Sequence, residues 1–330
     1  MKMTRTSIAI SALFSASAAN SAVVYEDQES VLNIHGRAQG MYYFSDDKNA
    51  DGDNSYIRVG LAGESKINED LYAFGLYELE FKSNRRDADG IEDADGIEDD
   101  EFDIRKGYVG VGADYGTVSY GRQYGAVTLV SDYTDIFPEF GNEAAGVSAD
   151  LYGTGRSDSV FKLTTSYEGL NIHVSYQAEN DEVSTDAASY GVAADYKLPY
   201  GFKVALGYNE GEGQSGAEDA ELLTGAIAFE YDKFYASVLY SDGENWAKDG
   251  SESNIDYTGI EAVATYEITD KLWALVGYNN LERDDEDVVD YYSLGAEYDL
   301  TSNFKALAEY RITDVDNEDD ILAIAARYSF

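Results

Sequence analysis

The sequence predicts an all-β fold, a 16-stranded antiparallel barrel that crosses a membrane. Three observations lead there. Apolar residues recur at every second position from residue 30 onward, with little helical periodicity. Short connections alternate with long acidic ones. No run of eighteen apolar residues follows the N-terminal segment, so a helical span is excluded. Half-apolar strands remain open, because a closed barrel also satisfies every backbone group in lipid.

Residues 1–22 read as a secretory signal peptide. Lys2 and Arg5 supply a positive start, Ile8 to Ala19 is mildly apolar around Leu13 and Phe14, and Asn20-Ser21-Ala22 follows. Cleavage is expected after Ala22, with Ala18 and Ala19 as alternatives. The barrel then occupies residues 23–330.

The strands follow in order. In the first, Ile34, Gly36, Ala38, Gly40, Tyr42 and Phe44 alternate with His35, Arg37, Gln39 and Met41. In the second, Ile57, Val59, Leu61 and Gly63 alternate with Tyr56, Arg58, Gly60, Ala62, Glu64 and Lys66. In the last, Leu322, Ile324, Ala326, Tyr328 and Phe330 oppose Ala323, Ala325 and Arg327. One face is apolar with aromatics at its ends, the other small, polar or charged. Glycine and alanine on the apolar face suit lipid or subunit contact better than a packed core.

Seven connections are short: Asn68–Asp70, Asp114–Gly116, Glu168-Gly169, Leu198–Gly201, Asp232-Lys233, Thr269–Lys271 and Leu300–Asn303. Seven longer acidic ones run Ser45–Asp53, Asn84–Asp100, Glu179–Asp186, Gly211–Ala217, Asp242–Asn254, Asp284–Asp287 and Asp314–Asp319, and the longest spans residues 123–156. Fifteen connections join sixteen strands. At about 12 residues each these use roughly 190 residues and leave about 115 for connections.

Composition narrows the function. The formal net charge is −41, and loss of Lys2 and Arg5 makes it two units more negative. That opposes nucleic-acid binding, which needs basic patches, and suits a protein that attracts cations. There are no cysteines, hence neither disulfides nor thiolate metal sites. Only Pro138 and Pro199 interrupt the chain, as extended sheet requires. The 29 tyrosines fit the membrane–water boundary, where amphipathic rings collect.

Catalysis finds little support. His35 and His173 are the only histidines and belong to no zinc motif, and no nucleophile elbow or Walker loop is present. Asp47-Lys48-Asn49-Ala50-Asp51-Gly52 begins like an EF-hand loop, but Arg58 stands at its twelfth position, where a glutamate is required. Ala88 to Asp99 is a tandem repeat of Ala-Asp-Gly-Ile-Glu-Asp, read as a solvated loop able at most to hold Ca²⁺ or Mg²⁺ weakly. No cofactor is called for.

The informative segment is Ser131 to Gly141, inside the longest connection. Tyr133, Ile136, Phe137 and Phe140 are awkward at a water-facing tip and sensible on a loop folded into the barrel. Such a loop narrows the lumen and presents Asp135 and Glu139 to it.

At this point the chain resembles the trimeric general porins of Gram-negative outer membranes, from Val23 to Phe330. The resemblance rests on Val24-Tyr25, Ile34-His35-Gly36-Arg37, Tyr56-Ile57-Arg58-Val59-Gly60, Tyr120-Gly121-Arg122-Gln123-Tyr124-Gly125, Thr134-Asp135 with Pro138-Glu139-Phe140-Gly141, and Ala326-Arg327-Tyr328-Ser329-Phe330, in that order. It implies a constriction with Asp135, Glu139 and Glu143 on the loop, facing Arg37, Arg58, Arg105 and Arg156 on the wall. Strand parity supports Arg37 and Arg58 independently. Arg105 alternates less cleanly, and Arg156 rests on the resemblance alone. It further implies passive diffusion of small hydrophilic solutes and ions, with cation preference from the acidic charge. It implies a homotrimer, lipopolysaccharide as a neighbour, and the barrel assembly machinery reading Tyr328 and Phe330. A surface-interaction barrel and a solute-specific channel are the alternatives. No lumenal run of aromatics of the kind sugar channels use is evident.

Overall fold

The computed structural model describes residues 21–83, 102–147, 152–179, 188–213, 218–246, 255–315 and 318–330. The duplicated acidic segment 88–99 and residues 1–20 of the expected signal peptide lie outside them. The chain forms β1 (Ala22–Glu26), β2 (Ser30–Phe44), β3 (Gly52–Asp53), β4 (Tyr56–Lys66), β5 (Tyr72–Lys82) and β6 (Phe102–Ala113). Then come β7 (Gly116–Tyr124), a one-turn helix α1 (Thr128–Ser131), β8 (Arg156–Tyr167), β9 (Leu170–Gln177), β10 (Ser189–Lys197) and β11 (Phe202–Gly211). The last are β12 (Ala220–Tyr231), β13 (Phe234–Glu244), β14 (Asp256–Thr269), β15 (Leu272–Arg283), β16 (Glu286–Asp299), β17 (Phe304–Thr313) and β18 (Ile321–Ser329).

Each stave pairs antiparallel with the next, and β18 pairs with β2 through Leu322–Phe44 to Ser329–Arg37, which closes the sheet. β3 adds only two residues against β2. β1 occupies the same edge of β2 as β18, further along, opposite Val31–Ile34. The staves are therefore β2 and β4 to β18, sixteen as the connections predict. Closure leaves no open edge, which is what lipid demands.

The period-two pattern sorts as read. Ile57, Leu61, Val109, Leu206, Val276 and Ile324 point outward and stay exposed, with Tyr42, Tyr120, Tyr176, Tyr190, Tyr240 and Tyr328 also on that face. Among the described residues more than forty-five large apolar side chains are exposed, which makes sense if lipid or a subunit covers most of them. His35, Gln39, Met41, Ala62 and Glu64 point inward and are buried. All seven short connections fall between consecutive strands. One connection differs from expectation: Asp284-Asp285, inside the stretch read as a longer loop, is a two-residue hairpin with both residues at positive φ, 51° and 64°. Aspartate tolerates that conformation, so two acids form a tight turn that the absence of glycine disguised.

Candidate functional site

The long connection between β7 and β8 folds into the barrel. Lys162 on β8 fixes its root, donating from Nζ to the carbonyls of Tyr124 (3.1 Å) and Gly125 (2.9 Å). Ala126, Val127, Val130, Tyr133, Ala145 and Val147 then pack on Ala193, Ala205, Ala226, Ala228 and Leu239 of β10 to β13. Small wall residues are the condition for this path. A Cβ on Gly259 would stand 1.9 Å from the Ala144 carbonyl oxygen, and one on Gly277 would stand 2.1 Å from the Phe137 ring. Pro138 lies over Gly295 in the same way.

Two wall carboxylates tie the loop down. Glu261 on β14 accepts from the Thr134 hydroxyl (2.6 Å) and the Ala144 amide (2.9 Å), clamping both legs of the 134–144 arch. Glu309 on β17 accepts from the Glu139 and Phe140 amides (2.9 and 3.3 Å), holding its tip. Both are fully buried, and each satisfies backbone donors that would otherwise be stranded. The Tyr291 hydroxyl accepts from the Gly141 amide, and the Tyr235 hydroxyl donates to the Tyr133 carbonyl. Phe140 sits in a cluster with Tyr291, Ile321 and Ala323, with Tyr43 against it. Gly141 needs its positive φ of 106° and its missing side chain, because Phe137 fills that space. Sequence reading missed Glu261 and Glu309. Their only signal is an acid at an inward position of a strand.

The opposite wall, β2 and β4 to β8, carries a row of cations. Arg37 and Arg58 are direct cross-strand partners, and Arg58 in turn opposes Glu80 on β5. Like charges face to face are unfavourable, and two neighbours relieve this pair. Tyr56 presents its ring to both guanidinium groups, each 5.3 Å from the centroid. Glu80 bonds Arg58 through both Nε and Nη2. Arg105 bonds Glu78 (3.1 Å) and Glu80 (3.3 Å). Its imperfect alternation has a cause. The ladder shifts register there, Glu78 opposing Lys106 and Leu79 opposing Ile104, so Arg105 is the extra residue of a β-bulge. Arg105 and Lys106 therefore both reach inward, the latter 5.0 Å from the Tyr124 ring. Arg156 opens β8 and lies 3.7 Å from Asp103. The structure thus gathers all four predicted arginines on one side.

The loop acids divide. Glu139 reaches β2, accepting from the Tyr43 hydroxyl (2.6 Å) and from Gln39 Nε2 (3.2 Å). Glu143 faces Arg311 on β17 at 4.0 Å rather than the arginine row. Arg311 also lies against the rings of Phe140 and Tyr291. Asp135 is exposed, as is Asp132. Both meet water on one side and protein on the others, and that loss of solvation pushes both carboxyls above the usual range, Asp132 to about 6 with Asp135 adding to its shift. A further cation joins the row: Arg327 of β18 donates from Nε to Gln39 Oε1 (2.5 Å) and from Nη2 to the Pro138 carbonyl (3.2 Å). Its inward phase in the last strand was the available signal.

An outward apolar belt, closed backbone pairing and a polar interior crossed by a pinned loop define a transmembrane β-barrel channel. A family model for Gram-negative porins matches residues 6–318, and the chain belongs to that family. Similar proteins include outer membrane protein S2 of Salmonella typhi, 28% identical over 394 aligned residues. The outer membrane porin protein OmpD of Salmonella typhimurium is 29% identical over 372, and outer membrane porin N of Escherichia coli is 27% identical over 390. Each alignment covers all of both chains. Among solved structures, Salmonella typhi OmpF in complex with daunomycin superposes with a TM-score of 0.80 at 24% identity, covering 94% of this chain and all of that one. The trimer form of Vibrio cholerae OmpT superposes at 0.72 and 18% identity, covering 92% and 100%. The chain is an outer-membrane porin of the general diffusion type, a passive channel and not an enzyme.

Proposed function

We propose that the pore prefers cations and that its narrowest segment lies between the loop acids Asp135 and Glu139 and the wall arginines Arg37, Arg58, Arg105 and Arg156, with Glu143 lining it toward Arg311. The observation that carries this reading is the hold on Glu139. Gln39 and Tyr43 keep its carboxylate beside β2, the strand that bears Arg37. Opposite charges across a narrow opening with low-dielectric walls set up a transverse field, in which polar and zwitterionic solutes orient. Much of the arginine charge is offset locally by Glu78, Glu80 and Asp103. The acids at the mouths then favour cations, less so at high salt.

The assembly belongs to the same reading. We infer a homotrimer, supported by the small outward residues Gly40 and Ala326, which are cross-strand partners on the closing seam and leave open space over Gly40. Lipopolysaccharide packs around it, bridged by Ca²⁺ or Mg²⁺ held weakly at the acidic external connections. Tyr328 and Phe330, whose rings stack 6.3 Å apart, serve as the assembly signal. Residues 1–22 direct export and are removed.

Planar-bilayer recording tests the pore. Ohmic steps in groups of three with cation-biased reversal potentials are expected, and folded protein that gives no steps overturns the reading. Changing Asp135→Asn with Glu139→Gln is expected to lower cation preference with assembly intact. Unchanged selectivity would place the narrowest segment elsewhere.

A further inference from the structure

Gln39 stands on the inward face of β2, 2% exposed, between an anion and a cation. Its Oε1 accepts from Arg327 Nε at 2.5 Å and from the Tyr56 hydroxyl at 3.3 Å. Its Nε2 donates to Glu139 Oε2 at 3.2 Å and lies 3.2 Å from Met41 Sδ. The neighbours fix the amide's orientation. Turned over, it would set its NH₂ against a guanidinium and its oxygen against a carboxylate.

Arg327 is already fastened to the loop one residue from Glu139, through the Pro138 carbonyl. Its other carboxylate neighbour is Glu297, 3.8 Å from Nη1, and that group is bonded at 2.5 Å by Lys305. With nothing between them, Glu139 and Arg327 would close into a direct ion pair. Each would then cancel the other's field in the lumen. A neutral amide that donates to one and accepts from the other keeps both charges separate and oriented. Glutamate in its place would repel Glu139 and capture Arg327. Asparagine is one methylene too short to span them, and an aliphatic side chain has no polar atoms to offer.

We propose that Gln39 is a positioning residue that sets ion selectivity by holding Glu139 and Arg327 apart, and that Arg327 is a fifth wall arginine of the narrow segment. The inference rests on the reading of Glu139 as an acid of that segment. It extends that reading to how the facing charges are kept from neutralising each other.

The test is a double-mutant cycle on the full-length barrel in planar bilayers. Reversal potentials in a KCl gradient are read for the wild type, Gln39→Val, Glu139→Gln and the double variant. Gln39→Val changes no formal charge, yet it is expected to lower the cation-to-anion permeability ratio about twofold or more, the low end of coupling between residues in contact. The double variant is expected to match Glu139→Gln alone. A shifted Glu139→Gln with an unshifted Gln39→Val overturns the positioning role and leaves the pore reading standing. So does a Gln39→Val effect that persists undiminished in the Glu139→Gln background. An unshifted Glu139→Gln overturns the reading beneath it. If Gln39→Val fails to fold, Gln39→Asn replaces it with the same expected and overturning results.

Discussion

The two halves of the barrel's inner wall are built from the same strand geometry and opposite materials. From β10 to β16 the inward positions under the loop are mostly glycine and alanine, with Glu261 and, on β17, Glu309 as fasteners. From β2 to the start of β8 they carry Arg37, Arg58, Glu78, Glu80, Arg105, Lys106 and Arg156. Where a second layer of chain must lie on the sheet, many of the inward side chains are small. Where water meets the sheet directly, they are long and charged. The difference teaches that the pore's shape is set on the covered half and its charge on the bare half, so the two should fail separately.

The largest effect is expected from filling the covered half. Gly259→Val or Gly277→Val puts methyl groups where Ala144 and Phe137 already sit, with overpacking worth about 1–3 kcal/mol or more. The loop should lift, giving altered unit conductance and a lower thermal midpoint of the folded oligomer. A wild-type conductance in either variant would mean that the loop is not seated as described. Next comes Glu309→Leu, which keeps the volume but strands the Glu139 and Phe140 amides, at about 1–3 kcal/mol per unpaired group. Current noise and closure at lower voltage should follow, with Glu309→Gln much milder because an acceptor remains.

On the bare half, Glu80→Gln removes the partner shared by Arg58 and Arg105. Cation preference should fall while thermal stability stays near wild type. A large loss of stability instead would show that the charges, too, hold the fold. The smallest effect concerns pH. Asp132 is charged above about 6 and neutral below it, so cation preference should begin to decline near pH 6. Carboxylates of ordinary acidity would hold their charge until nearer 4. Asp132→Asn should remove that first step from a reversal-potential titration.

Much of this was legible from the residues. Alternation identified the staves, and the short connections counted them, because lipid leaves a strand little freedom in either. Apolar Tyr133, Ile136, Phe137 and Phe140 marked the loop as folded inward. What stayed hidden had local causes. A bulge restored Arg105 to the lumen against its parity. Two aspartates made a tight turn without glycine. Glu261 and Glu309 were lost among 64 acids, since nothing but a folded loop distinguishes a clamp from a solvated carboxylate. The inward glycines of β14 to β16 were equally mute until Ala144, Phe137 and Pro138 were laid across them.

The closing seam has a consequence for biogenesis. Gln39 and Arg327 are separated by 288 positions and meet only because β18 zips onto β2. Loop closure over such a distance comes late, after the nearest-neighbour hairpins have formed. Until then both margins of the sheet are open and adhesive, and the arginine has no amide to meet. On the proposed reading, correct ion discrimination is available only to a finished cylinder. The proposed filter is complete only when the final zipper is, which ties the quality of the channel to the completion of its manufacture.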